Sequence, residues 1–407
     1  MTKLLQINIT ANWGSHGKIA EGIGLVAMEH GWSSHIAYGR WFNESKSELY
    51  HIGSMWDERV HGVVSRLFDA HGLASAGATK ELIKYIRSVS PDIIHLHNIH
   101  GYYLNYPILF NFLKEYGKPV VWTLHDCWPY TGHCAHYMYV KCDKWKTECH
   151  DCQQKSAYPK SMGLDRSRQN FLKKKEVFSD MKNLTIVPVS KWLEGELKDS
   201  FLSEYTCHQI YNGIDINVFT PCLDTEKYKE AYHIPKDKHI ILGVASNWYR
   251  KGLPDFIKLF DKIDTSKAVI VLVGLHADEK KHLPEGIIGI SRTENVNELV
   301  ALYSMASVFF NPSLEDNFPT TILESLACGT PVVTYNTGGC GEALTNEIGA
   351  IVNQGDREAI LAGIERFSAS KSPELANACR TRIVQAFNKD ERFNEYFNMY
   401  KSIISKQ

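Results

Sequence analysis

The sequence predicts an α/β protein with two domains, each built around a parallel β-sheet covered by helices. Short apolar runs alternate with longer stretches of helical periodicity along the whole chain, which is the pattern of repeated βαβ units. The chain has 407 residues, 44% of them hydrophobic, whereas a single core rarely extends beyond about 250 to 300 residues. We therefore expect two cores of similar size.

The composition argues against several other classes of protein. Lys and Arg total 45 and Asp and Glu total 46, so a strongly basic surface for nucleic acid is not expected. Aromatic residues make up 11% of the chain, which disfavours intrinsic disorder. The first residues lack the apolar run of a secretion signal, and no stretch approaches the about 18 apolar residues of a membrane span. These features predict a cytoplasmic globular protein.

In the first half of the chain, apolar runs of strand length alternate with segments whose apolar residues recur every three or four positions. The predicted strands are Leu4–Ile9, His35–Tyr38, Ile93–Leu96, Val120–Leu124 and Leu184–Val189. The predicted helices lie near Ile19–Glu29, Lys80–Val89, Leu104–Tyr116 and Lys191–Asp199.

The second half repeats this alternation and so predicts a second sheet of the same kind. Its predicted strands are Ile240–Val244, Ala268–Val273, Val308–Asn311 and Val332–Tyr335. Its predicted helices lie near Asp255–Lys262, Val296–Met305, Pro319–Cys328 and Arg357–Phe367.

We place the domains at residues 1–205 and 206–388, with a C-terminal helix at 389–407. The segment Tyr211–Pro221 by the junction contains an Asn-Gly turn signal, and its proline blocks continuation of a strand. The last segment carries apolar residues at helical spacing, so it needs a surface to pack against and is expected to return to the first domain. The residues of this stripe are Phe393, Tyr396, Phe397, Tyr400 and Ile403.

The stretch Asn311–Tyr335 carries the strongest signal for chemistry. It reads as strand, loop, helix, turn and strand, because Pro319 suits the first turn of a helix. Asp316 falls in the loop at the carboxyl end of the strand, and Glu324 falls in the helix with Thr320 on the same face. Ligands of open parallel sheets bind at this edge, where carboxylates can accept hydrogen bonds from the diol of a ribose or hexose. Judged from composition alone, the two acids would instead be solvated surface groups.

This stretch resembles the E-x7-E motif of the retaining glycosyltransferases of family four, which have the GT-B fold. In that fold, two Rossmann-like domains with parallel sheets face each other across a cleft, and the second domain holds most of the nucleotide-sugar. The pattern here is Asp316, seven residues and Glu324, followed by ACGTPVV. The resemblance implies that Glu324 contacts the ribose and that Asp316, one methylene shorter than the usual Glu, contacts the donor sugar. Further donor-binding residues implied are Arg292, Asn317, Phe318 and Thr320.

A second segment, WYRKGLPDF, resembles the Lys-Gly pair that begins the first helix of the family's nucleotide domain. Lys251 is therefore expected to neutralise the donor diphosphate as its bond to the sugar breaks, because a fixed cation stabilises the departing charge. The arginine that usually precedes this lysine is missing, since residues Gly243–Ser246 stand there, and Arg250 is expected to replace it. The alternative is that Arg250 and Lys251 form a solvated pair at a helix start.

Two segments of the first domain also resemble the family. TANWGSHGK, after the first strand, resembles the glycine-rich loop that lies over the donor phosphates beside the acceptor. Its implicated residues are Gly14, Ser15 and Gly17. His125 ends another strand where the family has a histidine that contacts the donor sugar, and the alternative is a structural histidine bonded to backbone. His97 and Asn98 are expected to face the same cleft.

A cysteine-rich insertion is predicted at residues 127–152. Half of the ten cysteines lie there, and a CxxC pair is preceded by further cysteines at spacings compatible with zinc. The predicted ligands are Cys134, Cys142, Cys149 and Cys152. A structural zinc would order this irregular segment, whereas buried free thiols or a disulfide are the alternatives. The arrangement resembles a bacterial subgroup that builds surface polysaccharides of the colanic-acid and O-antigen type.

The resemblance as a whole implies a retaining enzyme that transfers a hexose from a UDP- or GDP-sugar to a hydroxyl of a lipid-linked oligosaccharide. Its expected catalytic residues are His125, Lys251 and Asp316, and no cofactor is expected to be required for catalysis. Peripheral contact with the inner face of the cytoplasmic membrane is expected, because the acceptor is lipid-linked. A nucleotide-sugar-binding protein without catalytic activity is the alternative on the same fold, and donor hydrolysis would separate the two.

Overall fold

The computed structural model describes residues 1–406, which form two compact units. The first unit is Met1–Tyr211 together with the chain from Asp390 onward, and the second is Asn212–Lys389. The first unit contains a seven-stranded sheet and the second a six-stranded sheet, with one or more helices between most successive strands. Within residues 1–406, no helix combines the length and apolar character needed to cross a membrane. The predicted α/β class with two parallel sheets is confirmed.

The first unit has strands β1 (Lys3–Ala11), β2 (Ser33–Phe42), β3 (Glu48–His51), β4 (Ile93–Leu96), β5 (Val120–Leu124), β6 (Leu184–Pro188) and β7 (Thr206–Cys207). Its helices are α1 (Gly14–Glu29), α2 (Met55–Phe68), α3 (Ala76–Val89), α4 (Tyr106–Tyr116), α5 (Ser167–Phe178) and α6 (Lys191–Lys198). The strands pair in parallel in the order β3-β2-β1-β4-β5-β6-β7. The direction of strand addition reverses between β1 and β4, so their carboxyl ends form the topological switch point.

The second unit has strands β8 (His239–Val244), β9 (Ala268–Val273), β10 (Ile288–Ile290), β11 (Val308–Asn311), β12 (Val332–Tyr335) and β13 (Gly349–Val352). Its helices are α7 (Glu226–Ala231), α8 (Leu253–Phe260), α9 (Ala277–Lys281), α10 (Val296–Met305), α11 (Thr320–Ala327), α12 (Arg357–Ala369) and α13 (Pro373–Ala386). The strands pair in parallel in the order β10-β9-β8-β11-β12-β13, which places the switch point between β8 and β11.

The strands that the sequence did not predict are the edge strands of the two sheets. β3 and β7 form the edges of the first sheet, and β10 and β13 form the edges of the second. An edge strand pairs on one side only and is partly exposed. β3 and β7 lack the continuous apolar run that marks a central parallel strand, whereas β10 and β13 are short apolar runs that contain or begin with glycine. The interior strands all lie where the apolar runs predicted them.

The C-terminal helix α14 (Lys389–Ile404) packs against the first unit, on the face of the sheet that α1 also covers. Its buried rings belong to the same apolar cluster as Leu4 and Ile19. Tyr400 of this helix also joins a buried polar network. Its hydroxyl lies 2.5 Å from His95 Nδ1, and His95 Nε2 lies 2.7 Å from Thr123 Oγ1. Burial lowers the pKa of His95 well below its ordinary value, so this histidine is neutral.

The cysteine-rich insertion is ordered mainly by aromatic packing. Tyr137 stacks on Trp145 with ring centroids 5.1 Å apart, and Tyr130 meets Trp145 edge-on at 5.0 Å. Lys174 of α5 is buried and donates to the Trp128 and Thr131 carbonyl oxygens at 2.6 and 3.0 Å. These contacts pack the insertion against the core of the first unit.

The predicted zinc ligands Cys134, Cys142, Cys149 and Cys152 are free thiols in this structure. Within residues 1–406, no group of three or more His, Cys, Asp or Glu side chains is arranged to hold a metal ion. Cys134 instead shares a hydrogen bond with Cys152, which lowers the pKa of Cys152 to about 7, while burial raises the pKa of Cys149 to about 12. Zinc binding remains a prediction from sequence, and elemental analysis of the purified protein decides it.

The close approach of α14 to α1 requires a glycine at position 22. A Cβ atom there would lie 2.1 Å from the Phe393 ring, so Gly22→Ala should lower the free energy of unfolding of the first unit by about 1–3 kcal/mol. Gly195→Ala in α6 is the matched control, because its Cβ would meet nothing within 4 Å and alanine is the better helix former by about 1 kcal/mol. Urea unfolding of the two variants measures both effects, and a Gly22→Ala protein as stable as Gly195→Ala would contradict the packing of α14.

Candidate active site

Two candidate residues of the second unit, Lys251 and Asp316, lie on the two loops at its switch point. Lys251 lies between β8 and α8, and Asp316 lies between β11 and α11. Their side chains form an ion pair through Lys251 Nζ and Asp316 Oδ2, and they are only 18% and 17% exposed. The alternative of a solvated Arg250–Lys251 pair is therefore wrong for Lys251. Arg250, next to it, is half-buried.

Close backbone contacts hold the two loops together. The Leu314 amide donates to the Arg250 carbonyl oxygen at 2.8 Å. Gly252 has a φ of +75°, and a Cβ there would lie 2.3 Å from the Pro312 carbonyl oxygen, so the turn after Lys251 accepts only glycine. The ion pair is thus fixed by the backbone on either side of it.

A third loop supports Asp316 from the far side. Gly338, with a φ of +52°, lies so close that a Cβ would be 1.9 Å from the Asp316 carbonyl oxygen. The next residue, Gly339, donates its amide to the Asn317 carbonyl oxygen at 2.7 Å. Sequence reasoning did not connect Gly338 and Gly339 with the site, because the two glycines follow β12 and are distant in sequence from Lys251 and Asp316.

Glu324 projects from α11 and is oriented by a tyrosine. The buried Tyr303 hydroxyl, from α10, donates to Glu324 Oε2 at 2.9 Å. Burial and the negative charge of Glu324 raise the pKa of Tyr303 well above its ordinary value, so the tyrosine remains a donor. One turn earlier, Thr321 Oγ1 is buried and has no hydrogen-bond partner within residues 1–406. Sequence reasoning missed Tyr303, since only the fold brings α10 beside α11.

The remaining predicted donor residues differ in their surroundings. Asn317 and Phe318 are buried, and the Phe318 ring packs 5.8 Å from the Phe387 ring, so it supports the loop from the core. Thr320 begins α11 and is half-buried. Arg292 is exposed in the loop after β10, at the edge of the sheet and apart from the switch point.

In the first unit, His125 ends β5 and lies beside His97, which ends β4. His97 Nδ1 and His125 Nε2 are 3.3 Å apart, and His97 Nε2 lies 3.0 Å from Gln6 Oε1. The Gln6 amide is itself fixed, because its Nε2 donates to the Ala20 carbonyl oxygen at 2.6 Å. Gln6 Oε1 therefore accepts from His97 Nε2, and His97 Nδ1 accepts from His125 Nε2.

This hydrogen-bonded chain fixes the protonation of His125. Burial lowers its pKa well below the ordinary value, and the neighbouring His97 and His16 lower it further. Neutral His125 therefore carries its proton on Nε2 and keeps the lone pair on Nδ1. The adjacent Asp126 has a separate role. Burial alone would raise its pKa, but a 2.8 Å hydrogen bond with His100 keeps that pKa well below its ordinary value.

The predicted glycine-rich loop is the first turn of α1. Gly14 and Ser15 are exposed there, and Trp13 at the N-cap position gives no side-chain hydrogen bond to the helix. Gly17 is buried, and a Cβ would lie 2.6 Å from Thr10 Oγ1. The uncapped amides at the start of α1 lie beside His16, whose ring is 5.9 Å from His125.

Two family models match the chain. The model described as "Glycosyltransferase Family 4" matches residues 29–218, and the model described as "Glycosyl transferases group 1" matches residues 224–385. The two matches correspond to the two structural units. The first match includes strands β2 to β7 of the seven-stranded sheet, and the second includes all six strands of the other sheet.

Individual proteins show similarity of different extent. The chain is 26% identical over 436 residues to the protein of Escherichia coli K12 assigned to colanic acid biosynthesis as glycosyl transferase WcaC, covering 98% of this chain and all of that protein. An N,N'-diacetylbacillosaminyl-diphospho-undecaprenol alpha-1,3-N-acetylgalactosaminyltransferase of Campylobacter jejuni is 29% identical over 143 residues, 33% of this chain and 37% of that protein.

Similarity of fold extends over the full length. The structure of Anabaena HepE in complex with UDP-glucose aligns with a TM-score of 0.65 and 13% identity, covering 99% of this chain and all of that one. The chain therefore belongs to the group 1 glycosyltransferases of family four, enzymes of the GT-B fold.

Proposed function

We propose that this protein is a retaining hexosyltransferase that moves a hexose from a UDP- or GDP-sugar to a hydroxyl of a lipid-linked oligosaccharide in surface polysaccharide assembly. The observation that carries this proposal is the half-buried ion pair of Lys251 and Asp316 at the switch point. Glu324 lies on α11, the helix that directly follows the loop of Asp316. The full-length similarity to a protein assigned to colanic acid biosynthesis supports the polysaccharide class.

The two acids and the lysine have separate roles in the proposal. Glu324, held by Tyr303, accepts hydrogen bonds from the ribose hydroxyls, and Asp316 accepts from the hexose. Lys251 contacts the diphosphate. A cation that is already fixed by the backbone needs no reorganisation when negative charge develops on the leaving group.

The proposed reaction is a substitution on one face of the sugar. The acceptor oxygen bonds to the anomeric carbon while the bond from that carbon to the β-phosphate oxygen breaks, and the departing diphosphate takes the acceptor's proton. Lys251 stabilises the charge of the diphosphate. His125, neutral and fixed by His97, holds a substrate hydroxyl rather than acting as a cation.

Lys251→Ala should reduce kcat by about 100- to 1000-fold with a much smaller loss of donor affinity, because the charge on the diphosphate is largest as it departs. Lys258→Ala is the matched control, since Lys258 lies on the adjacent helix α8, is 54% exposed and pairs with Asp255. Donor turnover and donor Kd, measured for both variants, check this. An unchanged kcat in Lys251→Ala would remove the lysine from the mechanism.

Glu324→Gln should raise the Kd of both the nucleoside diphosphate and the sugar donor by a factor of some tens. Hydrogen bonds to a charged carboxylate contribute about 1.5–3 kcal/mol, and the amide keeps one acceptor oxygen without the charge. Asp316→Asn should weaken the sugar donor while sparing the bare nucleotide. Titration calorimetry with both ligands separates the two variants, and Glu365→Gln, exposed on α12, is the control.

The turnover rate should not follow a titration near pH 6.5. Burial holds the pKa of His125 well below that value, so the neutral form persists at neutral pH and protonation begins only in more acidic solution. His125→Gln, which retains a hydrogen-bonding side chain but cannot titrate, should lower kcat at all pH values without changing the shape of the profile above pH 6. A wild-type transition near pH 6.5 that disappears in His125→Gln would contradict a neutral His125.

A further inference from the structure

A groove of about 940 Å³ lies in the first unit, outside the residues assigned so far. One wall is helix α2, and the others are the end of β2 and the loop after β4. Its volume lies within the range of small-molecule sites. The aromatic part of its lining consists of Tyr38, Trp41, Phe42 and Tyr102.

Three arginines line this groove, against one acid. Arg40 pairs with that acid, Glu58, at 3.0 Å. Arg59 and Arg66, two turns apart on α2, form no ion pair with any carboxylate of residues 1–406. An excess of guanidinium groups over carboxylates is suited to an anionic ligand. A guanidinium group can donate two parallel hydrogen bonds to two oxygens of one phosphate.

Tyr102 marks the inner end of the groove. Its backbone has a φ of +73°, a strained conformation that bulky residues rarely adopt. Burial raises the pKa of its hydroxyl, and the positive charges of Arg66 and Arg40 act on it in the opposite direction. The two guanidinium groups therefore line the groove together with this hydroxyl.

The outer flank of α2 is an apolar stripe that no part of residues 1–406 covers. Trp56, Val60, Val63 and Leu67 recur at intervals of four, three and four residues, and they are 69%, 57%, 53% and 48% exposed. Met162 continues the stripe, because its amide donates to the Arg66 carbonyl oxygen at 2.8 Å and its side chain is 69% exposed. Exposed apolar surface of this extent is typical of an interaction site.

The helix itself is firmly formed. Ser54 and Asp57 make a capping box at its start, with the Ser54 amide donating to Asp57 Oδ2 at 2.9 Å. The arginines and the apolar stripe are therefore presented side by side on a rigid element. Arg59 also lies over the Trp56 ring, 5.3 Å from its centroid, so the two surfaces are continuous.

We propose that the groove binds the diphosphate of a polyprenyl-diphosphate-linked acceptor through Arg59 and Arg66, and that the apolar stripe of α2 binds its hydrocarbon chain. This inference rests on the proposed function, in which the acceptor is lipid-linked. An anion joined to a long apolar chain matches a basic groove beside an apolar stripe, whereas a soluble anion would leave the stripe unused. A nucleic acid would require a broader basic surface.

Calorimetry with farnesyl diphosphate, a short and soluble polyprenyl diphosphate, tests the groove. Arg59→Gln and Arg66→Gln should each weaken its binding about tenfold or more. The double variant Trp56→Ser, Leu67→Ser should weaken farnesyl diphosphate while leaving inorganic diphosphate unchanged. Matched controls lie on α5, where Arg168→Gln and Leu172→Ser replace residues of the same type that are exposed away from the groove.

Competition and vesicle experiments separate the proposal from its alternatives. Excess UDP or GDP should not displace farnesyl diphosphate, and Lys251→Ala should not weaken it, because the donor diphosphate binds elsewhere. Neutral phosphatidylcholine vesicles containing undecaprenyl diphosphate should bind the protein more tightly than phosphatidylglycerol vesicles without it. Equal binding to the two kinds of vesicle would show recognition of membrane charge and overturn the proposal.

Two further results would overturn the groove assignment. One is wild-type affinity for farnesyl diphosphate in the arginine variants, and the other is displacement of farnesyl diphosphate by the donor nucleotide. Binding of a nucleotide-sugar in the same samples tests the proposed function independently. A protein that binds the nucleotide-sugar but not farnesyl diphosphate refutes the groove alone, and the reverse pattern refutes the donor site alone.

Discussion

The ion pair between Lys251 and Asp316 is the interaction on which the proposed donor site depends. Taking both charges out of water is costly, and their attraction compensates for it only when the geometry is fixed. Here the fixing comes from backbone, since Gly252 packs on Pro312 and Gly338 packs on Asp316. Without a donor, each charge neutralises the other. In the proposed function, the diphosphate and the hexose of the donor interact with these same two charges.

Polar groups of the first unit are also held in fixed positions, here by a chain of hydrogen bonds through two histidines. Gln6 cannot turn because it donates to Ala20, and it sets the tautomer of His97, which sets that of His125. Both units therefore place rigid polar groups at the point where the strand order reverses. This common placement follows from the parallel sheet, because the carboxyl ends of all its strands lie at one edge.

Much of this was predictable from sequence, for local reasons. The central strands are continuous apolar runs, and Asp316 and Glu324 lie within one strand–loop–helix unit, so periodicity and spacing were sufficient to place them. The edge strands β3 and β7 were missed because they lack such runs, and β10 and β13 were missed because their apolar runs are short and contain or begin with glycine. Tyr303 and Gly338 support the site from distant parts of the chain, and no local pattern indicates them. The cysteine spacing predicts zinc, which stays a prediction, and the aromatic packing of Tyr137 on Trp145 is a tertiary contact that spacing does not reveal. Helix α2 was not predicted, although its apolar residues Trp56, Val60, Val63 and Leu67 recur at helical spacing.

The central claim is that the loops after β8 and β11 bind a nucleotide-sugar. A calorimetric panel of UDP-, GDP- and ADP-sugars on the full chain tests it most directly, since a ligand present at 100 times its Kd adds about 2.7 kcal/mol of apparent stability. The account predicts that a UDP- or GDP-sugar binds with one site per chain and that combining Lys251→Ala with Glu324→Gln abolishes the binding. Failure of every sugar nucleotide to bind, or undiminished binding by the double variant, would contradict it.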